Sequence, residues 1–333
     1  SFLKELAIMP DIHTGYSLPI GAVALLDEVI SPHAVGYDIG CGMLLYNTGI
    51  NYEEIFPEQK SKEDIYSKLM QQIPVGGKVH DRAKYEVAWY KPAVDFEQLG
   101  VGEVEKYVNK KLQHSLGTLG GGNHFIELGF NRESDLCITI HCGSRNPGHQ
   151  IGGAYMKLSE MVDKDLPDGF FHLNSLYGRA YYFDAHLMLT YSLVNREHIL
   201  QEVLQVLGLE YRPGMKTTNE VHNHAEEHSF GVIHRKGATK AGYGEIGVIP
   251  SNMRDGVYVT KGLGNEDYLW SASHGAGRKG SRNWAKKNFQ LEDFQDSMRD
   301  VVGTVSEKTL DESPFAYKDI DTVLSYQEGL VVD

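Results

Sequence analysis

The sequence predicts an α+β fold in a single compact domain. Short apolar runs rich in β-branched residues, such as 136–141, indicate strands, whereas the long apolar stretch 181–207 indicates a helix. Candidate ligand residues are spread from Asp11 to Arg282, and no internal repeat, low-complexity tract or linker divides the chain. One folded unit over 1–333 is therefore favoured over two independent domains.

Composition narrows the class of protein. Hydrophobic residues make up 41% of the chain, and no apolar run reaches membrane-spanning length, so we expect a soluble, cytoplasmic protein without membrane contact. Cys41, Cys137 and Cys142 are too few for a disulfide framework, and a reducing compartment would keep Cys41 available as a thiolate. The net charge of −13 disfavours polyanions, but cations concentrate at 235–240 and 278–287, where they could attract phosphates.

The predicted elements of the first half follow the apolar pattern. Strands are predicted at 18–26, 44–47, 125–128 and 136–141, and helices at 52–73, 96–114 and 151–163. The helix at 96–114 carries Val104, Val108 and Leu112 on one stripe. The strand at 136–141 delivers His141 at its carboxyl end, where ligands of α/β sheets commonly lie.

The second half contains the helix 181–207, whose Met188 and Tyr191 we interpret as core. Further on, the i, i+4 spacing of His224 and His228 is typical of two imidazoles on one helix face. Short strands are predicted at 231–239, at 247–249 and at 256–261, the last two around a turn at Ile249–Pro250, and a helix begins at Arg282.

The most informative stretch is 9–43, in which Asp38 and Cys41 lie three residues apart among glycines. Glycine lets the backbone turn tightly and approach a ligand closely. A carboxylate and a thiolate, completed by imidazoles, bind a borderline-soft divalent metal, and these residue types alone favour zinc. The alternative reading of this stretch alone is a glycine-rich turn around a buried structural cysteine.

Histidine and asparagine recur in other compact glycine-rich segments. These segments are GGNH at 121–124, HCGSR at 141–145, VHNH at 221–224 and HGAGR at 274–278. So many such segments are hard to assign to core packing, and they favour a ligand site. Taken alone, the last segment is as easily a glycine-rich turn.

In their order along the chain and in their residues, these motifs resemble those of the RtcB family, the GTP-dependent RNA splicing ligases. The resemblance covers nearly the whole chain, through MPDIHTGY, GYDIGCGM, LGTLGGGNHFIEL, HCGSR, VHNHAEEH, HRKGAT, SHGAGRKGSR and SPFAYKDID. It implies mixed or antiparallel sheets flanked by helices around a central metal site.

The resemblance also implies a metal centre and a nucleophile. Two Mn²⁺ ions, bridged by the thiolate, would be held by Asp38, Cys41, His124, His141 and His222. This choice takes His222 rather than the pair that spacing favours, His224 and His228, which would then support the metal ligands from behind or form a polar helix face. His274 matches the histidine that takes GMP from GTP, and Asp11 is expected as a site carboxylate near the metals.

The implied nucleotide site is carried over residue by residue. The GMP pocket would include Asn123, Phe125, Glu127, Asn223, Asn252, Ala276 and Gly277. Phosphates of nucleotide or RNA would be bound by Arg145, Lys236, Arg278 and Arg282, because guanidinium forks suit phosphate geometry. Asn252 stands where the family has a nucleotide-binding serine, and the terminal Lys-Gly of the family does not follow Asp333, so we expect trimmed chain ends.

The implied reaction joins an RNA 3'-phosphate or 2',3'-cyclic phosphate end to a 5'-hydroxyl end, in RNA repair or tRNA splicing. Cleaved tRNA, ribosomal RNA or another broken RNA would be the substrate, and an activating protein is a further possible partner. The competing enzyme hypothesis is a metal-dependent phosphoesterase acting on nucleic acid, which needs the metals but no nucleophile at His274. A GTP- or RNA-binding subunit without catalysis is the third hypothesis, and the intact set of ligand residues argues against it.

Overall fold

The structure of the protein is a computed structural model, and it describes residues 2–332. The strands in order are β1 (Leu3–His13), β2 (Ile20–Leu26), β3 (Val29–Ile30), β4 (Gly42–Asn51), β5 (Phe125–Phe130), β6 (Asp135–Cys142), β7 (Phe171–His172), β8 (Lys216–Val221), β9 (Asn223–His228), β10 (Gly231–Lys236), β11 (Ala238–Lys240), β12 (Ile246–Asn252), β13 (Gly256–Gly262), β14 (Ser271–Ser273) and β15 (Val331–Val332). The helices are α1 (Tyr52–Ile55), α2 (Gln59–Gln72), α3 (Val104–Ser115), α4 (Arg145–Ser159), α5 (Leu176–Leu207), α6 (Arg282–Asn288), α7 (Leu291–Ser297) and α8 (Ile320–Ser325).

Two four-stranded sheets dominate the architecture, with strand orders β1-β2-β10-β9 and β5-β6-β4-β8. Three smaller sheets pair β12 with β13 and β15, β11 with β14, and β3 with β7. All these strand pairs are antiparallel. The fold is therefore the predicted α+β class, with antiparallel sheets and flanking helices.

The sheet β5-β6-β4-β8 explains how distant residues come together. Its inner strand β4 runs opposite to both neighbours, and Gly42 lies opposite Cys142 of β6 and Val221 of β8. The beginning of β4 therefore lies between the carboxyl ends of β6 and β8. Residues just before β4 and at the ends of β6 and β8 must share one edge of the sheet, although they are far apart in sequence.

The long helix α5 packs across this sheet. It begins at Ser175, whose hydroxyl oxygen accepts a hydrogen bond from the backbone N–H of Gly178, and it ends at Gly208, which has a φ of 71°. Apolar side chains of α5 join those of β4 and β6 in one buried cluster: Ile199, Leu200, Val203, Leu204, Leu44, Ile138 and Ile140. Burial of each such side chain contributes roughly 1.5–3 kcal/mol, so this layer fixes α5 on the sheet.

Most predicted elements are present with shifted ends, but two predicted helices have wrong bounds. The single helix at 52–73 is wrong, because Pro57 lacks a backbone N–H and separates α1 from α2. The predicted helix at 96–114 begins only at Val104, after Gly102, which has a φ of 131°. Proline therefore splits the first predicted helix and glycine delays the start of the second, which the apolar spacing did not indicate.

The histidines and the proline of the second half also correct the sequence analysis. His224 and His228 lie on the strand β9 and not on a helix, so their i, i+4 spacing reflects strand alternation instead. The predicted turn at Ile249–Pro250 is wrong as well, because both residues belong to β12 and the turn is at 253–255. Strand β12 is at the edge of its sheet, where a proline is tolerated.

Within residues 2–332, no helix has both the length and the apolar character that a membrane span requires.

Candidate metal centre and adjoining histidine

The five predicted metal ligands meet at the shared edge of β4, β6 and β8. Their donor atoms form two groups, and within each group the atoms lie within 4.8 Å of one another. One group comprises Cys41, His141 and His222, and the other comprises Asp38, Cys41 and His124. The Cys41 Sγ lies 3.2 Å from His141 Nε2 and 3.5 Å from His124 Nε2. Because Cys41 belongs to both groups, the donor set fits two divalent ions that share one thiolate.

Backbone carbonyls orient two of the imidazoles. His141 Nδ1 lies 2.9 Å from the carbonyl oxygen of Asn123, and His124 Nδ1 lies 3.1 Å from that of Leu119. A ring nitrogen that donates to a carbonyl leaves the opposite nitrogen as the one with a free lone pair. The Nε2 atoms that face Cys41 are therefore the ones available to a metal.

Burial sets the protonation of this centre when no metal is bound. It lowers the pKa of His141 to about 3 and that of His222 well below its usual value, so both imidazoles are neutral. It raises the pKa of the Cys41 thiol to about 12, and Asp38 adds to this effect. His141 and His222 are thus ready to bind a metal. Burial lowers the pKa of His124, but its anionic neighbours, Asp38 among them, raise it well above its usual value, so His124 and Cys41 must each lose a proton when a metal binds.

The loop that carries Asp38 is held by a glycine and an asparagine. A Cβ on Gly143 would lie 2.1 Å from Asp38 Oδ1, so only glycine leaves room for this carboxyl group. Asn223 Nδ2 donates to the carbonyl of Asp38 at 3.1 Å, and its Oδ1 accepts from the Gly237 N–H at 2.7 Å. Asn223, predicted as a nucleotide contact, is therefore also a brace between the metal loop and the end of β10.

A buried arginine, which the sequence analysis missed, ties the ligand-bearing strands together. Arg196 of α5 has 0% exposure, and its Nη1 donates to the carbonyls of Gly40 and Cys142 at 3.1 and 2.6 Å. Its Nη2 donates to the carbonyl of Glu220 at 3.1 Å, and its Nε donates to Asn219 Oδ1 at 2.7 Å. The available signal was a charged residue within the otherwise apolar spacing of 181–207.

The three carbonyls that Arg196 binds are each next to, or close to, a metal ligand. Gly40 precedes Cys41, Cys142 follows His141, and Glu220 is two residues before His222. One guanidinium thus fixes the backbone of three strands at the point where they present their ligands. The preceding Asn195 adds donor contacts to the carbonyls of Thr118 and Gly143 at 3.2 and 3.3 Å.

His274 lies beside the metal centre and is held by a carboxylate. Its ring is T-shaped against that of His222, with centroids 4.8 Å apart. Its Nδ1 is 2.7 Å from Oδ2 of the fully buried Asp11, which also accepts from the His274 N–H at 3.2 Å. With a proton on Nδ1, the Nε2 lone pair is available for nucleophilic attack.

Asp11 therefore orients His274, and among residues 2–332 it belongs to neither donor group. A second residue that sequence reasoning missed secures it: Lys318 Nζ donates to the carbonyls of Pro10 and Ile12 at 3.2 and 2.6 Å, on both sides of Asp11. Lys318 lies in the SPFAYKDID motif, and that motif was the available signal.

Predicted residues of the nucleotide pocket adjoin the metal centre and the His274 loop on two sides. Phe125 lies edge-on to His141, with centroids 5.6 Å apart, and Glu127 follows on the same face of β5. On the other side, the buried Ala276 donates its N–H to the carbonyl of Pro250 at 3.0 Å. The hairpin β12–β13 thus contacts the His274 loop, and its Gly256 also lies beside Glu127.

Two of these pocket residues have features of their own. Burial raises the pKa of Glu127 to about 7. Asn252 is engaged in the hairpin turn, where its Nδ2 donates to Asp255 Oδ2 at 2.8 Å and its Oδ1 accepts from the Arg254 N–H at 3.0 Å. Gly277 has a φ of 74° and packs against the backbone of Asp11.

The predicted phosphate ligands all have partners within the chain. Arg145 donates to the carbonyl of Gly76 at 2.8 Å and to Thr118 Oγ1 at 3.0 Å. The half-buried ammonium of Lys236 donates to the carbonyls of Tyr16 and His33, and burial lowers its pKa to about 8. These side chains are positioned by backbone atoms and not by carboxylates.

Arg278 and Arg282 are instead paired with acidic side chains. Arg278 Nη1 lies 3.3 Å from Glu312 Oε2, and Arg282 Nη1 lies 2.8 Å from Asp311 Oδ2 and also contacts Glu312. Of the predicted cation cluster at 235–240, Arg235 is fully buried and bound to Glu226 at 3.0 Å. The expectation that Arg235 attracts phosphates is therefore wrong.

The chain is similar along its length to known proteins. A family model described as tRNA-splicing ligase RtcB matches residues 1–333. The chain is 33% identical to the RNA-splicing ligase RtcB of Escherichia coli (strain K12), over 98% of this chain and 87% of the relative. It is 30% identical to the RNA-splicing ligase RtcB of Mycobacterium tuberculosis, over 97% and 92%, and 30% identical to the tRNA-splicing ligase RtcB of Pyrobaculum aerophilum, over 95% and 82%.

The Arg196 contacts predict a large effect of a conservative substitution. The Arg196→Lys variant keeps the charge, but an ammonium cannot reproduce the planar fork that reaches three carbonyls and an amide oxygen. We expect the free energy of unfolding to fall by about 3 kcal/mol in urea titrations and metal affinity to fall with it. Arg132→Lys, a change at an exposed arginine in the turn between β5 and β6, should alter stability by less than about 0.5 kcal/mol. Equal stability of the two variants would contradict the role of Arg196.

The pKa of Glu127 predicts a pH dependence of stability. The pKa of this carboxyl group is about 7 in the folded chain and 4.5 in the unfolded chain. Between these two pH values the folded state keeps the proton that the unfolded state has lost. Its contribution to the free energy of unfolding therefore falls as pH rises from 4.5 to 7. Between these limits, Glu127→Gln should gain roughly 2 kcal/mol relative to wild type in metal-free urea titrations. Glu133→Gln, at an exposed position, is the control. If the difference in the free energy of unfolding from wild type does not change with pH for either variant, the prediction is refuted.

Proposed function

The chain belongs to the RtcB family of tRNA-splicing ligases, and from that premise we propose that it is an enzyme that joins two RNA ends. We propose that one end carries a 3'-phosphate or a 2',3'-cyclic phosphate and that the other carries a 5'-hydroxyl. GTP would supply the energy, and GMP would be carried on His274. The physiological RNA would be a cleaved tRNA, a ribosomal RNA or another broken transcript.

The observation that carries this proposal is the position of His274 between a carboxylate and the donor groups. A purely metal-dependent phosphoesterase has no need of a fourth imidazole held by a buried aspartate beside its metals. Asp11 accepts from Nδ1 of His274 at 2.7 Å and keeps Nε2 unprotonated. This arrangement of base-like carboxylate, oriented imidazole and adjacent cation site is suited to nucleophilic catalysis at phosphorus.

In the proposed sequence, His274 Nε2 attacks the α-phosphorus of GTP, the bond to the β-phosphate oxygen breaks, and pyrophosphate leaves. The imidazole that results is positively charged, and Asp11 stabilises that charge through the Nδ1 proton. An oxygen of the RNA 3'-phosphate then attacks the same phosphorus and releases His274. Finally the 5'-hydroxyl attacks the RNA phosphate, its proton leaves and GMP is expelled.

Two divalent ions, which we propose to be Mn²⁺, would be held by the donor groups that share Cys41. Bound there, they would neutralise charge that develops on phosphate oxygens. Guanine would lie between β5 and the hairpin β12–β13, where the carboxyl group of Glu127 can accept from its N–H groups. Phosphates would contact Arg145, Lys236, Arg278 and Arg282, the last two by exchanging Asp311 and Glu312 for phosphate oxygens.

The proposal is tested by covalent labelling with α-labelled GTP and Mn²⁺, followed by a denaturing gel. Wild type should be labelled, and His274→Ala should lose the label while keeping its bound metal. Asp11→Asn should be labelled about 100-fold more slowly or worse, because the imidazole loses its orientation and charge partner. The measurements are band intensity, initial rate and metal content of the dialysed protein.

His172→Ala is the matched control, since this imidazole lies outside the site and is bound to Asp165 at 2.7 Å. It should be labelled as wild type is. Equal labelling of His274→Ala would refute the nucleophile. RNA cleavage by wild type with metal but without GTP or label would instead favour the phosphoesterase.

A further inference from the structure

Outside the metal centre, side chains of α6, α7 and the segment 314–316 line an open cavity of about 600 Å³. Its walls are aromatic: Trp284 is T-shaped to Phe289, with ring centroids 5.4 Å apart, and Phe289 lies 5.7 Å from Phe315. A cavity of this size is in the range that holds a nucleotide-sized molecule. None of these three side chains has a role in the site described above.

The ring of Trp284 is fixed and yet accessible. A Cβ on Gly280 would lie 2.6 Å from its Cε3, so the indole rests directly on the backbone at a position that only glycine allows. The side chain nevertheless keeps 39% of its surface exposed. A rigid, accessible indole is a stacking surface that loses little conformational freedom when a planar ring binds to it.

Two charged side chains, Lys279 and Asp293, line the cavity without a close partner of opposite charge in residues 2–332. Lys279 is exposed, and its ammonium makes neither a hydrogen bond nor an ion pair within that range. The same is true of the carboxylate of Asp293, whereas Asp296 is bound to Arg299 at 2.8 Å. The cavity therefore presents one cation and one acceptor-only group beside an aromatic surface.

We propose that this cavity binds a nucleobase of single-stranded RNA close to the reacting end. The base stacks on Trp284, a flanking phosphate lies at Lys279, and Asp293 accepts a hydrogen bond from the exocyclic amino group of the base. Adenine, cytosine and guanine carry such a group and uracil does not, so the cavity disfavours uridine. This inference rests on the proposed function, because it supplies a subsite for the same RNA.

Position and charge favour RNA over a cationic protein segment. Lys279 lies five positions after His274, so even an extended chain would span no more than about 18 Å between them. Trp284 also lies between Arg282 and Lys286 on α6, whose cationic groups lie 2.8 and 3.2 Å from the carboxylate of Asp311 and would exchange it for phosphate oxygens of the RNA.

The test is the affinity of 5'-hydroxyl oligonucleotides without a 3'-phosphate, which can bind but cannot react. Fluorescence anisotropy with the full chain gives the Kd of octacytidine and octauridine. Wild type should bind octacytidine more tightly, and Trp284→Ala should raise that Kd about 10-fold, whereas Trp284→Phe should keep most of the affinity. Trp89→Ala, an exposed indole elsewhere on the chain, is the control and should bind as wild type does.

Two further variants keep the proposal falsifiable if Trp284→Ala folds poorly. Lys279→Ala changes only an exposed side chain, and it should weaken both oligonucleotides and reduce the salt slope of binding by about 1. Asp293→Asn should bring the ratio of the two Kd values close to 1, because an amide can also donate to uracil. Thermal melts monitor the fold of each variant.

Unchanged oligonucleotide affinity in a folded Trp284→Ala or Lys279→Ala variant would overturn the proposal. So would an octa-arginine peptide whose binding, unlike that of RNA, depends on Trp284. Covalent labelling by GTP distinguishes failure of the proposed ligase reaction from failure of the proposed subsite. A wild type that binds RNA through Trp284 but is never labelled would refute the ligase reaction and not the subsite.

Discussion

The guanidinium of Arg196 is the contact on which the candidate site depends. It is fully buried on α5, and it binds the carbonyls of Gly40, Cys142 and Glu220 with a single planar fork. A cation buried in this way is tolerated only because those carbonyls and Asn219 satisfy it. The fork in turn fixes the ends of three antiparallel strands in one register. The imidazoles and the sulfur of Cys41 are thereby brought together. The geometry of the metal centre therefore depends on how α5 packs on the sheet.

His274 is likewise held in place by buried groups of the chain. A carboxylate with no exposure accepts from Nδ1, and Lys318 clamps the backbone on both sides of that carboxylate. The nucleophile proposed for the reaction is thereby held by Asp11, and the backbone of Asp11 is held by Lys318. Arg278 and Arg282, the proposed phosphate ligands, are instead paired with Asp311 and Glu312. In a chain of net charge −13, these ion pairs must be exchanged when the two guanidinium groups bind phosphates.

The sequence predicted the α+β class from its short and long apolar runs, and it predicted the candidate ligands through the resemblance of its glycine-rich motifs to those of the RtcB family. It could not predict the pairing of Asp11 with His274, whose partners are 263 residues apart. Nor could it reveal Arg196, since a charged residue in an apolar helix is usually read as a solvated one. The spacing of His224 and His228 misled for a related reason: strand alternation also places i and i+4 on one face. Local patterns report local structure, and these contacts come from tertiary packing.

The central claim is that Cys41 bridges two ions, and anomalous diffraction tests it most directly. Crystals grown with Mn²⁺ and measured near the manganese absorption edge would locate each ion independently of the protein atoms. We expect two anomalous peaks about 3.5–4 Å apart, the spacing of two-metal sites, with Sγ of Cys41 between them. One peak should adjoin Asp38 and His124, and the other His141 and His222. A single peak, or two peaks of which only one touches Cys41, would contradict the bridging thiolate.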